Sequence, residues 1–152
     1  MQRLTYRAAR AADLPFIISL AAEDDVSGSI EPWQPKSAPA YEAVLAEIDA
    51  DPHEELFLAE LDGVPVGTFQ LTYLSSLTRP GMRRGLVESV HIVPGRRNNG
   101  FGSEMMRWAI ERCRAQGCGI VQLTSNKQRI DAHRFYETLG FSRTHEGFRL
   151  FL

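Results

Sequence analysis

Between Leu86 and Cys113 the hydrophobic pattern changes character once, across a short basic turn. LVESVHIVP, Leu86 to Pro94, has the β-branched content of a strand. After the turn, Phe101, Met105, Trp108, Ala109 and Cys113 recur every three or four residues, one buried stripe of a helix. A strand that feeds a helix through so short a turn commits the chain to mixed α/β architecture. The turn itself, GRRNNGFG, carries two arginines and two asparagines ahead of Gly100 and Gly102. Side chains are absent where loop becomes helix, so the N–H groups of Asn99 to Ser103 are open to a ligand. With the positive helix end they suit an anion, and Arg96 and Arg97 add charged donors. A glycine turn with solvated arginines would look the same in isolation.

The remaining elements follow from periodicity. RLTYRAA reads as a strand. AADLPFIISLAAEDD reads as a helix with Leu14, Ile17, Ile18 and Ala21 on one face and Pro15 in its first turn. VSGSIEPWQPKSAP is a loop, and AYEAVLAEIDAD a second helix with Ala40, Val44, Leu45 and Ile48 inward. ELFLAELDG and VPVGTFQLTYL flank Asp62-Gly63, a strong hairpin signal. SSLTRPGMRRG is a basic loop holding Arg79, Arg83 and Arg84. Helix Gly100–Gln116, strand GIVQLTSN and helix Ile130–Leu139 follow the phosphate-type turn. FSRTHEGFRLFL alternates as a closing hairpin that turns near Glu146-Gly147. The order β-α-α-β-β-β-α-β-α-β-β, without repeats or linkers, predicts one domain over 1–152 built on a central mixed sheet.

Composition excludes several function classes. A chain of 152 residues with 43% hydrophobic content has room for one full core. A net charge of −2 gives no electrostatic case for nucleic acid. Cys113 and Cys118 match no zinc or redox spacing and read as reduced structural thiols. No metal-ligand spacing is present. The start, MQRLTYRAARAADLPF, has no apolar signal core, and no segment has the roughly 20 apolar residues that cross a bilayer. The expectation is a soluble cytoplasmic protein without membrane contact.

Two phosphate motifs fail at the glycine turn. A P-loop needs Lys-Ser or Lys-Thr after its glycines. A dinucleotide fingerprint needs a third glycine, where this chain has Met105, and a place in the first βαβ unit. Arg97-Asn98-Asn99-Gly100-Phe101-Gly102, read as R-x-x-G-x-G after LVESVHIVP, resembles instead the acetyl-CoA motif of the GCN5-related N-acetyltransferases (GNAT). QLTSNKQRIDAHRFYETLGF resembles that family's strand–Asn–helix–YE-x-x-GF segment, and its extension to His145 resembles bacterial aminoalkylphosphonate N-acetyltransferases. The resemblance is weakest from Ala11 to Asp51.

The resemblance implies a GNAT fold: six to seven strands, splayed at the acetyl-CoA site, with about four helices. It implies acetyl-CoA as co-substrate, a small primary amine as acceptor, direct attack without a covalent enzyme intermediate, and a homodimer. Protein N-terminal or lysine acetylation is the alternative, as is a non-catalytic acyl-CoA sensor. A lysine-like amine, with a pKa near 10.4, is about 99.9% protonated at neutral pH, so a base is needed. The leaving thiolate gains from an acid and the tetrahedral intermediate from an oxyanion donor.

By resemblance Tyr136 is the acid, and the backbone of Val90, His91 and Ile92 pairs with the pantetheine arm. A main-chain N–H there faces the thioester. Arg97, Asn98, Asn99, Gly100, Phe101, Gly102 and Ser103 hold the diphosphate, and Asn126 contacts the arm or caps a local turn. Glu88 is a base in some members; period-two alternation puts it on the face of Val90 and Ile92 and turns His91 away. Its other reading is a surface glutamate. Tyr136, beside Phe135 and Leu139, could equally fill the core. Arg83, Arg84 and His145 are candidates for an anionic acceptor, or are solvated. His133 and His53 read as surface and turn.

Overall fold

The computed structural model describes residues 3–152. Five strands form one sheet in sequence order: β1 (Thr5–Ala8), β2 (Glu54–Leu61), β3 (Val64–Ser75), β4 (Arg83–Ile92) and β5 (Cys118–Gln122). The first four are antiparallel neighbours, and β5 joins β4 in parallel. Four helices complete the fold: α1 (Leu14–Asp24), α2 (Ala38–Ala50), α3 (Phe101–Ala115) and α4 (Ile130–Thr138).

Both sheet faces are covered, which is why β2 buries Phe57, Leu58 and Ala59 in succession. Leu58 packs with Ala9 and Ile17 under α1. Phe57 and Ala59 point oppositely, into the main core with Phe69, Met105, Met106 and Ala109. There Trp108 stacks on Tyr6, with centroids 4.4 Å apart, and meets Phe57 edge-on at 4.9 Å. The approach of α3 to β4 depends on Gly85: a Cβ there would stand 2.4 Å from Cys113 Sγ. Beneath α3, Glu55 accepts hydrogen bonds from Tyr73 Oη and from Arg112, whose Nε lies 2.9 Å away. The Asp62-Gly63 turn forms as expected, with both residues at positive φ (52° and 78°).

Four expectations need correction. Val44 and Ala40 are exposed, and α2 buries only Leu45 and Ile48. In α1 the third buried residue is Leu20. Arg83 and Arg84 belong to β4, because pairing with Ser75 and Leu74 extends the β3–β4 ladder into the supposed loop. The closing hairpin is absent: residues 142–152 form no strand, so the sheet has five strands, not six or seven. Alternation marks a strand that has a face to bury; it does not say where the partner surface is.

Candidate active site

The decisive local feature is a bulge in β4. Gln70 pairs with Glu88 and Thr68 with His91, so Phe69 alone opposes both Ser89 and Val90. Ser89 takes φ +52°, the left-handed region. One extra residue inverts the alternation. Val90 and Ile92 turn to the α3 side and pack against the main core, as Val87 does. Glu88 and His91, opposite Gln70 and Thr68, share the other face. The expected grouping of Glu88 with Val90 and Ile92, and of His91 away from Glu88, is therefore wrong. The bulge also leaves one residue of β4 out of regular pairing with β3.

On its other side β4 pairs with β5 only from Arg83 to Leu86. From Val87 to Ile92 that edge has no strand partner among the described residues, which is the splay expected of the fold. The gap leads to the turn before α3. Gly100 adopts φ +81° as the helix cap and Asn98 φ +63°. Arg3 holds this turn from outside: its Nη2 donates to Asn99 O at 2.8 Å, and its guanidinium lies 4.2 Å from the Phe101 ring centroid. Glu104 accepts from the Arg3 and Leu4 amides, each at 2.6 Å. Phe101 is buried in the core, so it anchors the turn, and Ser103 lies in the first turn of α3. Gly102 has a packing role. A Cβ there would stand 3.3 Å from Phe135 Cζ, so the residue lets α4 pack on α3.

Asp24, the last residue of α1, joins three parts of the cleft. His91 Nδ1 donates to its Oδ2 at 2.7 Å, Arg97 Nη2 lies 3.3 Å from Oδ1, and Arg129 Nη2 3.5 Å from Oδ2. Arg97 Nε also donates to Ile92 O at 3.0 Å. The His91 hydrogen bond, with Arg129 and Arg97 alongside, holds the Asp24 carboxyl below the usual carboxylate range against the opposing effect of burial. Neither Asp24 nor Arg129 stands out in the sequence. The available signal was an aspartate at a helix C-terminus, where the macrodipole disfavours negative charge and a specific cation is needed.

Tyr136 faces this cluster from α4. Burial raises its phenol above the ordinary tyrosine value, with Arg129 opposing and Asp24 reinforcing. The hydroxyl thus keeps its proton at neutral pH, as an acid must. Asn126 does cap a turn: Oδ1 accepts from the Gln128 amide at 2.9 Å, while its carbonyl accepts from His133 Nε2 at 2.8 Å. His133 is accordingly half-buried and tied to that turn. The Asn126 side-chain NH2 has no hydrogen-bond partner among the described residues. His145 is not brought to the cleft; it lies exposed beyond α4, with Thr144 Oγ1 at 2.6 Å from Nδ1.

At the other end of β4, Ser76, Thr78, Arg79, Met82 and Arg84 line a cavity of about 320 Å³. Arg84 Nη1 reaches Gln122 Oε1 at 3.4 Å, but Arg84 Nε is buried without a partner among the described residues. Arg84, Leu86 and Glu88 share one face by alternation, since the register with β3 is unbroken there. Burial pushes the Cys113 thiol up to about 12, which keeps it protonated at neutral pH. Among the described residues no cluster could hold a metal ion.

These features agree with the comparisons to known proteins. Over 95 residues the chain is 32% identical to an aminoalkylphosphonate N-acetyltransferase of Salmonella typhimurium, covering 62% of this chain and 61% of that one. It is 34% identical over 92 residues to a glucosamine 6-phosphate N-acetyltransferase of Trypanosoma brucei brucei, 60% of each. The matches thus span about three fifths of the length of these curated relatives. A transcriptional regulator from Bacillus halodurans C-125 superposes with a TM-score of 0.88 at 38% identity, over 98% of this chain and 99% of its own. Residues 14–141 match the Acetyltransferase (GNAT) family, and the chain belongs to that family.

Proposed function

We propose that the protein transfers an acetyl group from acetyl-CoA to the primary amine of a small molecule that also carries an anionic group. The observation behind the transfer is the unpaired β4 edge from Val87 to Ile92, running between splayed strands to the glycine cap of α3. Free backbone groups along such an edge suit an amide-bearing arm, and the helix start suits a diphosphate. Arg97 stands beside both.

The chemistry assigns roles along the cleft. The ammonium of the acceptor gives its proton to Glu88, directly or through water. The free amine attacks the thioester carbon, and an amide freed at the Ser89–Val90 bulge receives the oxyanion. Collapse breaks the C–S bond, the Tyr136 hydroxyl protonates the departing thiolate, and the proton left on the acylated nitrogen returns through water to the tyrosinate. No enzyme nucleophile takes part, in keeping with the protonated Cys113.

The anionic acceptor is supported by the orphaned Arg84 Nε at a cavity that also offers Arg79 and the hydroxyls of Ser76 and Thr78. A guanidinium binds phosphonate, phosphate or carboxylate in a fixed geometry. Glu88 lies four residues along the same face, about 13 Å at strand rise, and the arginine side chain shortens that span to a compact substrate. The names of the Salmonella and Trypanosoma relatives likewise describe amines with phosphorus-centred anions. The same reading takes the protein to work as a homodimer of single-domain chains in the cytoplasm, where its two thiols stay reduced.

Thermal denaturation with acetyl-CoA present tests the acceptor class. A ligand at 100 times its Kd adds about 2.7 kcal/mol. Short amines ending in phosphonate or carboxylate should raise Tm more than neutral amines of equal length. Equal shifts for both would contradict the anionic reading.

A further inference from the structure

Two charges in the cleft each sit at the end of a helix that disfavours them. Asp24 is the last residue of α1, where exposed carbonyls already carry negative charge. Arg129 is the N-cap of α4, where exposed amides carry positive charge. Local propensity would place serine, asparagine or aspartate there. The fold brings the two charges together, with Arg129 Nη2 at 3.5 Å from Asp24 Oδ2. Their side chains are 32% and 15% exposed, so the pair is only partly open to water. Placements that local rules oppose concentrate at functional sites.

The turn ahead of α4 fixes where the guanidinium goes. Asn126 O accepts from the Arg129 amide at 3.0 Å and from His133 Nε2 at 2.8 Å, while Asn126 Oδ1 accepts from the Gln128 amide. The Arg129 carbonyl then accepts from the His133 amide at 3.1 Å, which opens the helix. Tyr136 follows almost two full turns later, so both side chains lie on one face of α4. Helix side chains lean toward the N-terminus, which tips the phenol toward Arg129. The charged groups around that phenol are Arg129 of α4 and Asp24 of α1. Asp24 is shared in turn with His91 of β4 and Arg97 of the turn before α3.

Acid catalysis by this tyrosine meets an energetic difficulty. A free phenol, with a pKa of about 10, is a weaker acid than a free thiol at about 8.5, so handing its proton to a thiolate runs uphill. Burial of Tyr136 steepens the climb, because it penalises the phenolate. Arg129 opposes that penalty. We propose that Arg129 is a positioning residue for acetyl transfer: held by Asp24, its guanidinium stabilises the tyrosinate formed as the Tyr136 O–H bond breaks and the S–H bond of coenzyme A forms. This rests on the acid role given to Tyr136 above and supplies what that role lacks. The negative charge lasts until the proton on the acylated nitrogen returns to the phenolate, so Arg129 itself neither gains nor loses a proton.

A pair of variants tests this with a readout independent of turnover. A ring-fluorinated tyrosine in place of Tyr136 ionises at accessible pH, and its fluorine NMR signal follows that ionisation directly. Arg129→Gln should move the titration to higher pH, since it removes a cation and leaves the Asp24 carboxylate less screened. Arg129→Lys should leave it almost in place, because the contact to Asp24 runs through a single nitrogen. With the native tyrosine, Arg129→Gln should lower kcat about tenfold, a part of the 10²–10⁴-fold open to a general acid, and Arg129→Lys should recover most of the loss. In a Tyr136→Phe background Arg129→Gln should cost nothing further. A cooperative thermal transition reports that each variant folds. A titration unmoved by Arg129→Gln, equal losses for Gln and Lys, or additive losses in the double variant overturn the role of Arg129 and leave Tyr136 as the acid. Tyr136→Phe at the wild-type rate, with chemistry limiting, overturns both.

Discussion

The carboxylate of Asp24, at the last residue of α1, accepts a 2.7 Å hydrogen bond from Nδ1 of His91 on β4. Both side chains are largely buried, at 15% and 12% exposure, and the contact ties the N-terminal helices to the strand that borders the cleft. A carboxylate only accepts, so the proton sits on Nδ1 and the ring orientation is fixed. Asp24→Asn should lower stability by about 1.5–3 kcal/mol at neutral pH, the range for hydrogen bonds to charged groups. Because the folded Asp24 titrates below the usual range, its contribution is present above that range and lost as pH falls through the lowered value. Urea denaturation should therefore show a constant gap between wild type and variant above about pH 5 and convergence as pH falls below about 4. A gap unchanged across that window would mean the charge is not what matters.

Tyr136→Phe removes one hydroxyl and almost no volume. General acid catalysis contributes roughly 10²–10⁴-fold, so kcat should fall by at least tenfold with the Kd for acetyl-CoA unchanged. A wild-type rate with chemistry limiting would leave Tyr136 as core alone, beside Phe135 at 5.2 Å and Phe141 at 6.0 Å.

How much of this was legible in the sequence depends on whether the determinants were local. Asp62-Gly63 dictates its own turn, because few other residue pairs accept two positive φ values. The Arg97–Gly102 motif is equally local, and so is the stripe of α3. The bulge at Ser89 is not: serine has no preference for φ +52°, and only the register against β3 forces it. That single residue reverses which side chains share a face with Glu88. Asp24 and Arg129 stand 105 positions apart and meet only through the fold. In the tail, alternation suggested a closing hairpin, yet residues 142–152 form no strand, because a period of two does not say which surface a segment pairs with.

Glu88→Gln keeps shape and hydrogen bonding while removing the proton acceptor. If Glu88 deprotonates the amine, kcat/KM should fall most near neutral pH. The deficit should shrink as pH approaches the amine pKa near 10.4. A loss of the same factor at every pH, or no loss, would move the base role to His91, which the bulge places on the same face.

Arg84→Ala should raise KM for an anionic acceptor about 10- to 100-fold, matching one or two charge-assisted hydrogen bonds. The KM for acetyl-CoA should stay unchanged, and neutral amines should be indifferent to the substitution. Equal losses for every acceptor would mean that Arg84 serves β4–β5 pairing through Gln122 and does not bind the acceptor.

Thiol release from acetyl-CoA, followed alongside the N-acetyl product in the presence of short primary amines, tests acetyl transfer most directly. The cleft between β4 and β5 predicts thiol release that depends on the amine, matches product one for one, and is fastest with amines bearing a phosphonate or carboxylate. Acetyl-CoA that binds yet is never consumed, whatever primary amine is supplied, would contradict the account and leave a protein that holds the coenzyme without transferring from it.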